Sequence, residues 1–298
     1  MGERDSVLAG VLAALETAPE LRGWQLEREL GRGGMGVVFA ARDPTGEPRA
    51  VKVMLPEADA DDLARRLFER EVGIAVQLRH ANIVEADRWG SIGDGYFLAM
   101  ELCTDGDLYG LIRDGGPLEP VDAVAVAIAV LDALTYAHSV ELEGGAHGIV
   151  HRDLKPQNIL FTRAGSSRVV RVGDFGLAKA FETAGLSGIT NTGAKGGTPA
   201  FMPRRQVLNY KYAAPDVDVW AAAASLYFAL SGQVPRDFED GRDPYKTIVH
   251  HPPVALAERH PGLPARLCEV VDAALVDTGQ PAYPSATALR DALRGSLR

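Results

Sequence analysis

The feature that most constrains this chain is a change of period close to Cys103. Before it, the text is written in short β-prone runs: Val37–Ala40, Ala50–Met54 and Tyr96–Glu101. The turn cluster Asp43-Pro44-Thr45-Gly46 separates the first two. One helical stretch, residues 59–79, interrupts them. Beyond Cys103, long helical patterns take over at 121–139, 216–231, 264–277 and 284–295, broken by loops rich in Gly, Pro and Asp. A strand buries alternate residues and a helix buries a stripe, so such a text is expected to form two packed bodies. The reading is α+β: a small β-rich N-lobe over 24–100, a hinge at 101–106 and a larger helical C-lobe over 107–295. The 298 residues are ample for two such cores.

Gly31-Arg32-Gly33-Gly34-Met35-Gly36-Val37-Val38 leaves one strand and enters the next. Glycines without Cβ let backbone N–H groups approach a phosphate chain closely, yet the same pattern also suits a plain tight hairpin. A dinucleotide fold would need a helix directly after the glycines; β-branched residues follow instead. Sixteen residues past Gly36 stands Lys52, inside the apolar run Ala50–Met54. An ammonium there needs an anion, either phosphate oxygens or a carboxylate. In the helical stretch that follows, Glu69 and Glu71 both lie near the border of the apolar stripe, and spacing does not choose between them.

Val150-His151-Arg152-Asp153-Leu154-Lys155-Pro156-Gln157-Asn158-Ile159-Leu160 sets an acid, a lysine and an amide between apolar flanks. Fourteen residues past Leu160 comes Asp174-Phe175-Gly176, after the strand-like run Val169–Val172. Together with the glycine loop and Lys52, these segments resemble the eukaryotic-type Ser/Thr protein kinases found also in bacteria. They carry the glycine loop, the strand lysine, the HRDLKPxN loop and DFG in order over about residues 24–295.

That resemblance implies roles residue by residue. Gly31, Gly33, Gly34 and Gly36 cover the phosphates of ATP, and Lys52 holds the α/β-phosphates while pairing with Glu71. Asp153 takes the proton of the attacking hydroxyl, and Lys155 neutralises the transferring phosphoryl. Asn158 and Asp174 offer hard oxygen ligands to Mg²⁺, with Mn²⁺ as a substitute. Met100 occupies the gatekeeper position; Glu101, Leu102 and Cys103 form the hinge that bonds the base, and Asp107 takes the ribose. Val38, Ala50 and Leu160 sandwich the purine, although Val38 and Leu160 suit plain core packing as well. Asp218-Val219-Trp220 resembles the family's structural aspartate motif, whose carboxylate supports the catalytic loop. His151 is expected to pack within that loop.

Between Asp174 and Arg205 the text is rich in Gly, Ser and Thr. Arg152, read as a buried cation beside the base, and Lys179 would coordinate a phosphate on this segment. Thr190 and Thr192 resemble the paired autophosphorylation threonines of such kinases, and Thr198 in Gly197-Thr198-Pro199 matches the threonine that bonds the base. Departures are also visible. The family's Ala-Pro-Glu reads Pro203-Arg204-Arg205, and the arginine that partners its glutamate appears as Ala282. Losing both halves suggests a repacked site, and Arg205 must find solvent or an acid. Ala75 and Ala86 stand where bulky spine side chains are usual, which predicts a loosely held helix around Glu71 unless a ring such as Trp89 fills the gap. Extra length at 140–147 reads as a surface loop.

Composition narrows the function classes. A formal net charge of −9 argues against a main role in gripping nucleic acid or anionic lipid. It suits protein partners bearing Lys or Arg. Two cysteines without a CxxC pair read as a reducing, cytoplasmic setting. The most apolar runs, Ala123–Leu131 and Val219–Leu230, fall short of the roughly 20 residues of a membrane span. His250-His251 reads as an exposed pair with no third metal ligand. In the extension 1–23, Val7, Leu8, Val11, Leu12 and Leu15 share a helical face. It serves either the domain's own core or, over residues 6–16, self-association or a docking partner. Three functions remain in view: a protein Ser/Thr kinase; a nucleotide-binding pseudokinase or regulatory scaffold with weak or no phosphotransfer; and a small-molecule phosphotransferase, disfavoured by the threonine-bearing segment.

Overall fold

The computed structural model describes residues 18, 21–33, 36–54, 69, 72–73, 76–92, 95–142, 148–175, 198–209 and 213–297. Outside them fall Gly34, Glu71, Ala75, Lys179, Thr190 and Thr192, the 6–16 stretch and most of the 140–147 loop. The side chain of Thr198 falls there too. The described residues divide into two compact units. One runs to Arg79 and resumes over Val84–Cys103; the other holds His80–Ile83 and the chain from Thr104.

The first unit is a five-stranded antiparallel sheet of β1 (Gln25–Gly33), β2 (Gly36–Arg42), β3 (Pro48–Met54), β4 (Ala86–Ile92) and β5 (Gly95–Glu101), in the order β1-β2-β3-β5-β4. Side-chain alternation gives the sheet two faces of different use. Val37, Phe39, Val51, Val53, Phe97 and Ala99 point to one face, where Ala18, Leu21 and Ile92 complete an apolar core and Trp24 and Leu26 flank it. The end of the N-terminal extension therefore packs on its own domain. Val38, Ala50, Lys52, Leu98 and Met100 point to the opposite face, with Val38 opposite Lys52, Lys52 opposite Leu98, and Ala50 opposite Met100.

The helix read over 59–79 is described at Glu69 and Val72–Gly73, and a turn at 76–77 ends it sooner than expected. Ala86 is buried in β4. The indole of Trp89 comes within 3.8 Å of where a Cβ on Gly73 would stand. The indole thus approaches the helix at Gly73, while Glu71 and Ala75, on which the expectation of a loosely held helix rests, lie outside the described residues.

The second unit is mostly helical: α1 (Leu108–Gly115), α2 (Pro120–Ser139), α3 (Arg204–Leu208), α4 (Asp216–Ser231), α5 (Pro244–His250), α6 (Leu256–Arg259), α7 (Ala265–Ala274) and α8 (Ala286–Arg294), with a β6–β7 hairpin (Ile159–Ala164, Ser167–Val172). Fourteen of the sixteen residues of α4 are buried, and α2 packs against both α4 and α8. Among the described residues α2 alone is long and apolar enough to cross a membrane by length and composition; here it is a packed helix whose buried residues include Val130, Leu131 and Leu134. The patterns at 264–277 and 284–295 overran the true helices. Pro264 and Ser285 sit at the N-caps, and Ser285 Oγ accepts from the Ala288 N–H at 3.2 Å.

Candidate active site

In the sheet unit, the glycine segment is an antiparallel hairpin in which Gly31 pairs with Val38 and Gly33 with Gly36. Gly36 is required by geometry: its φ is +133°, and a Cβ there would stand 2.0 Å from the Val53 carbonyl oxygen. Lys52 is buried, with 5% of its surface exposed, on the sheet face away from the apolar core. The open choice between Glu69 and Glu71 is not decided here. Glu69 is exposed and accepts from the Tyr96 hydroxyl at 3.4 Å, and Glu71 lies outside the described residues. At the end of β5, Met100 is buried, and Glu101, Leu102 and Cys103 are half-buried. The Glu101 N–H donates to the Glu85 carbonyl at 2.8 Å, which ties the end of β5 to the residue before β4.

The second unit assembles the acidic and amide residues. Register explains the first convergence: pairing of Ile159 with Val172 sets Asn158 beside Gly173, whose N–H donates to the Asn158 carbonyl at 2.9 Å. Asn158 and Asp174 thus flank one end of the hairpin. Asn158 Nδ2 donates to the Asp153 carbonyl at 2.7 Å, so its Oδ1 is turned away from that bond. The short turn Pro156–Asn158 folds Lys155 back onto the acid: Lys155 Nζ donates to Asp153 Oδ2 at 2.7 Å. The other oxygen, Asp153 Oδ1, is buried and has no hydrogen-bond partner among the described residues. A buried carboxylate oxygen left in that state is costly unless a ligand's donor meets it.

The loop around Asp153 is held from below. Arg152 has φ 67° and Asp174 φ 61°, the only non-glycine residues with positive φ among those described. Such conformations persist where surrounding bonds enforce them, and they cluster at functional sites. Asp218, 1% exposed, accepts from the His151 N–H at 2.7 Å, the Arg152 N–H at 2.9 Å and His138 Nε2 at 2.8 Å. Burial alone would raise its carboxyl. The hydrogen bond and charge of His138 and the hydrogen bond from the His151 N–H outweigh that and hold it below the ordinary aspartate value. The His151 ring is fully buried. It accepts from the Asp153 N–H at Nδ1 (3.3 Å) and donates from Nε2 to the Gly173 carbonyl (2.8 Å), while Phe175 packs on it at 4.7 Å between centroids. One imidazole therefore ties the Asp153 segment to the Asp174 segment.

Two expectations need correction or refinement. Arg152 is half-buried, not buried, because its side chain leaves a loop whose backbone points inward to Asp218. Asp107 already has work as the N-cap of α1, where Oδ1 accepts from the Gly110 N–H at 2.7 Å; its backbone also bridges to Leu160, itself half-buried. Arg205 found its acid, a hydrogen-bonded ion pair with Asp216. His250 and His251 are both exposed. Sequence reasoning missed His138 and Gln206, whose Nε2 donates to the Arg152 carbonyl at 2.7 Å. His138 is the last residue but one of the apolar helix α2, and nothing in its spacing marks it.

One unit thus carries a buried lysine on a glycine-hairpin sheet, and the other an acid–lysine–amide loop with a second aspartate just after its hairpin, the residue set seen in protein kinases. The protein kinase domain model matches residues 24–265, and the chain belongs to that family. It is 32% identical over 291 residues to the serine/threonine-protein kinase PknJ of Mycobacterium tuberculosis, covering 92% of this chain and 45% of that protein. It is 33% identical over 266 residues to PknH of the same species, covering 88% and 40%. The chain thus spans less than half the length of these curated relatives. The crystal structure of the M. tuberculosis PknI kinase domain superposes with a TM-score of 0.67 at 26% identity, covering 92% of this chain and 96% of that one. Members of the family use ATP with a divalent cation and act on protein substrates.

Proposed function

We propose that this chain is a protein serine/threonine kinase that transfers the γ-phosphoryl group of ATP to Ser or Thr hydroxyls. The observation that carries the reading is Asp153: one carboxylate oxygen bound by Lys155, the other buried and unpartnered among the described residues. A substrate hydroxyl donating to Oδ1 would satisfy that oxygen and be oriented for in-line attack, while Lys155 stands beside it for the charge of the transferring group. Lys52 would hold the α/β-phosphates. The Glu101 carbonyl and Cys103 backbone would take the adenine, and the second Asp107 oxygen the ribose. Asn158 Oδ1 and the Asp174 carboxylate are hard oxygen donors and fit Mg²⁺, with Mn²⁺ able to replace it; when bound, the ion neutralises phosphate charge. Two free cysteines and acidic charge suit a cytoplasmic setting.

We further propose that Thr190 and Thr192 are autophosphorylated and that Arg152 and Lys179 bind the resulting phosphate. Incubation with ATP and Mg²⁺ followed by mass spectrometry tests both ideas. Phosphate on Ser/Thr of a peptide library and on residues 185–198 is expected from the parent and not from Lys52→Ala. Full peptide activity with no phosphate in 185–198 would end the autophosphorylation idea, and no peptide phosphorylation would end the kinase reading.

A further inference from the structure

Residues 202–206 are held from beneath by groups that no motif announces. Arg236, on the connection after α4, is fully shielded from solvent. A guanidinium in that position requires a partner for its charge and acceptors for its fork of donors. It is hydrogen-bonded to the carboxylate of Asp277, its Nε donates to the His251 carbonyl at 3.0 Å, and its Nη1 donates to the Met202 carbonyl at 3.4 Å. Its plane lies over the Trp220 indole, 4.8 Å from the ring centroid. The same Asp277 oxygen accepts from the Arg204 N–H at 3.0 Å. The pair therefore grips backbone groups on both sides of Pro203.

Those two groups open α3, a helix of five residues. So short a helix gains little from its own hydrogen bonds and depends on what fixes its ends. One turn along, Gln206 is buried and donates to the Arg152 carbonyl. Arg152 carries the positive φ and directly precedes Asp153. Its peptide groups are thus held twice, the N–H by Asp218 and the carbonyl by Gln206.

We infer that the buried Arg236–Asp277 pair and Gln206 are positioning residues for the catalytic loop: the pair sets α3, and α3 presents Gln206 to the Arg152 carbonyl. The arrangement stands where the sequence has lost the family's own glutamate–arginine pair, with the carboxylate now at 277 and the guanidinium at 236. Its effect on turnover rests on the phosphotransfer reading; its effect on the loop does not.

The test uses Gln206→Met, which keeps length and removes the donor, together with Asp277→Asn and the double variant Arg236→Met/Asp277→Leu. Hydrogen exchange of the 151–155 amides, thermal unfolding, kcat and both KM values are measured. Gln206→Met is expected to exchange faster at 151–155 and to lose about tenfold in kcat, with KM for ATP within about twofold. Asp277→Asn strands the Arg236 charge and lowers Tm. The double variant strands no charge and recovers Tm, yet its exchange stays fast and its kcat low, because Met202 and Arg204 have lost their grip. Parent-like exchange in Gln206→Met overturns the inference, and so does a double variant whose kcat recovers together with its Tm. A parent that transfers no phosphate, with exchange responding as stated, sinks the kinase reading and leaves this inference standing.

Discussion

Replacing Asp218 by Asn changes one atom and tests how the loop is built. Asp218 Oδ1 serves the Arg152 N–H, and Oδ2 serves the His151 N–H and His138 Nε2. An amide has one oxygen, so its NH₂ must face at least one of these donors. The less costly orientation turns NH₂ toward Arg152. That leaves one buried N–H unpaired, at about 1–3 kcal/mol, and removes the charge from two further bonds that were worth about 1.5–3 kcal/mol each with it. A net loss of about 3–5 kcal/mol follows, which for a domain of this size lowers Tm by roughly 6 °C or more. Function should fall further than stability. Freed from its bond, Arg152 can leave its positive φ, a conformation costing about 1–2 kcal/mol, and Asp153 moves with it. A displacement near 1 Å costs on the order of 10²-fold in rate. Thermal unfolding and steady-state peptide phosphorylation read both effects. An Asp218→Asn protein with kcat within about threefold of the parent and Tm within about 2 °C would refute the reasoning.

Three further outcomes follow from single contacts. Gly36→Ala should lose stability by at least about 2 kcal/mol in denaturant unfolding, since φ +133° and the Val53 carbonyl leave no room for a methyl group; an unchanged midpoint contradicts the hairpin geometry. Asp107→Asn should keep its cap, because Asn caps as well as Asp, so Tm holds while KM for ATP rises; an unchanged KM removes Asp107 from the ribose site. Because Asp218 titrates lower folded than unfolded, its contribution is complete above about pH 3.9 and is lost as pH falls through the folded value. Acid unfolding of the parent should therefore show a steep limb below that pH, and Asp218→Asn should flatten it.

Much of this was legible in the text because the signals were periodic. Strands β2, β3 and β5 lie in the middle of the sheet and carry apolar alternation, and α4 is buried on nearly every side. Strand β4, an edge strand written Ala86-Asp87-Arg88-Trp89-Gly90-Ser91-Ile92, alternates poorly and was not read. The residues around Asp153 announced themselves by composition, an acid, a lysine and an amide between apolar flanks. What stayed hidden were partners brought in by tertiary folding alone. Asp277 ends an ordinary-looking stretch, Arg236 follows a proline, and His138 closes a helix; their chemistry arises only when α4 and its neighbours pack. The doubled loss at Arg205 and Ala282 hinted at rebuilding there, though not at which residues carry it out.

The central claim is that Asp153 performs chemistry on a nucleotide bound by other residues. Nucleotide affinity and turnover measured side by side on the parent and Asp153→Asn separate those two functions. The account predicts ATP·Mg²⁺ affinity within about threefold of the parent and a loss of at least about 10²-fold in phosphate transfer to Ser/Thr peptides. Equal turnover in the two proteins, or a parent that binds ATP and transfers nothing, would contradict it.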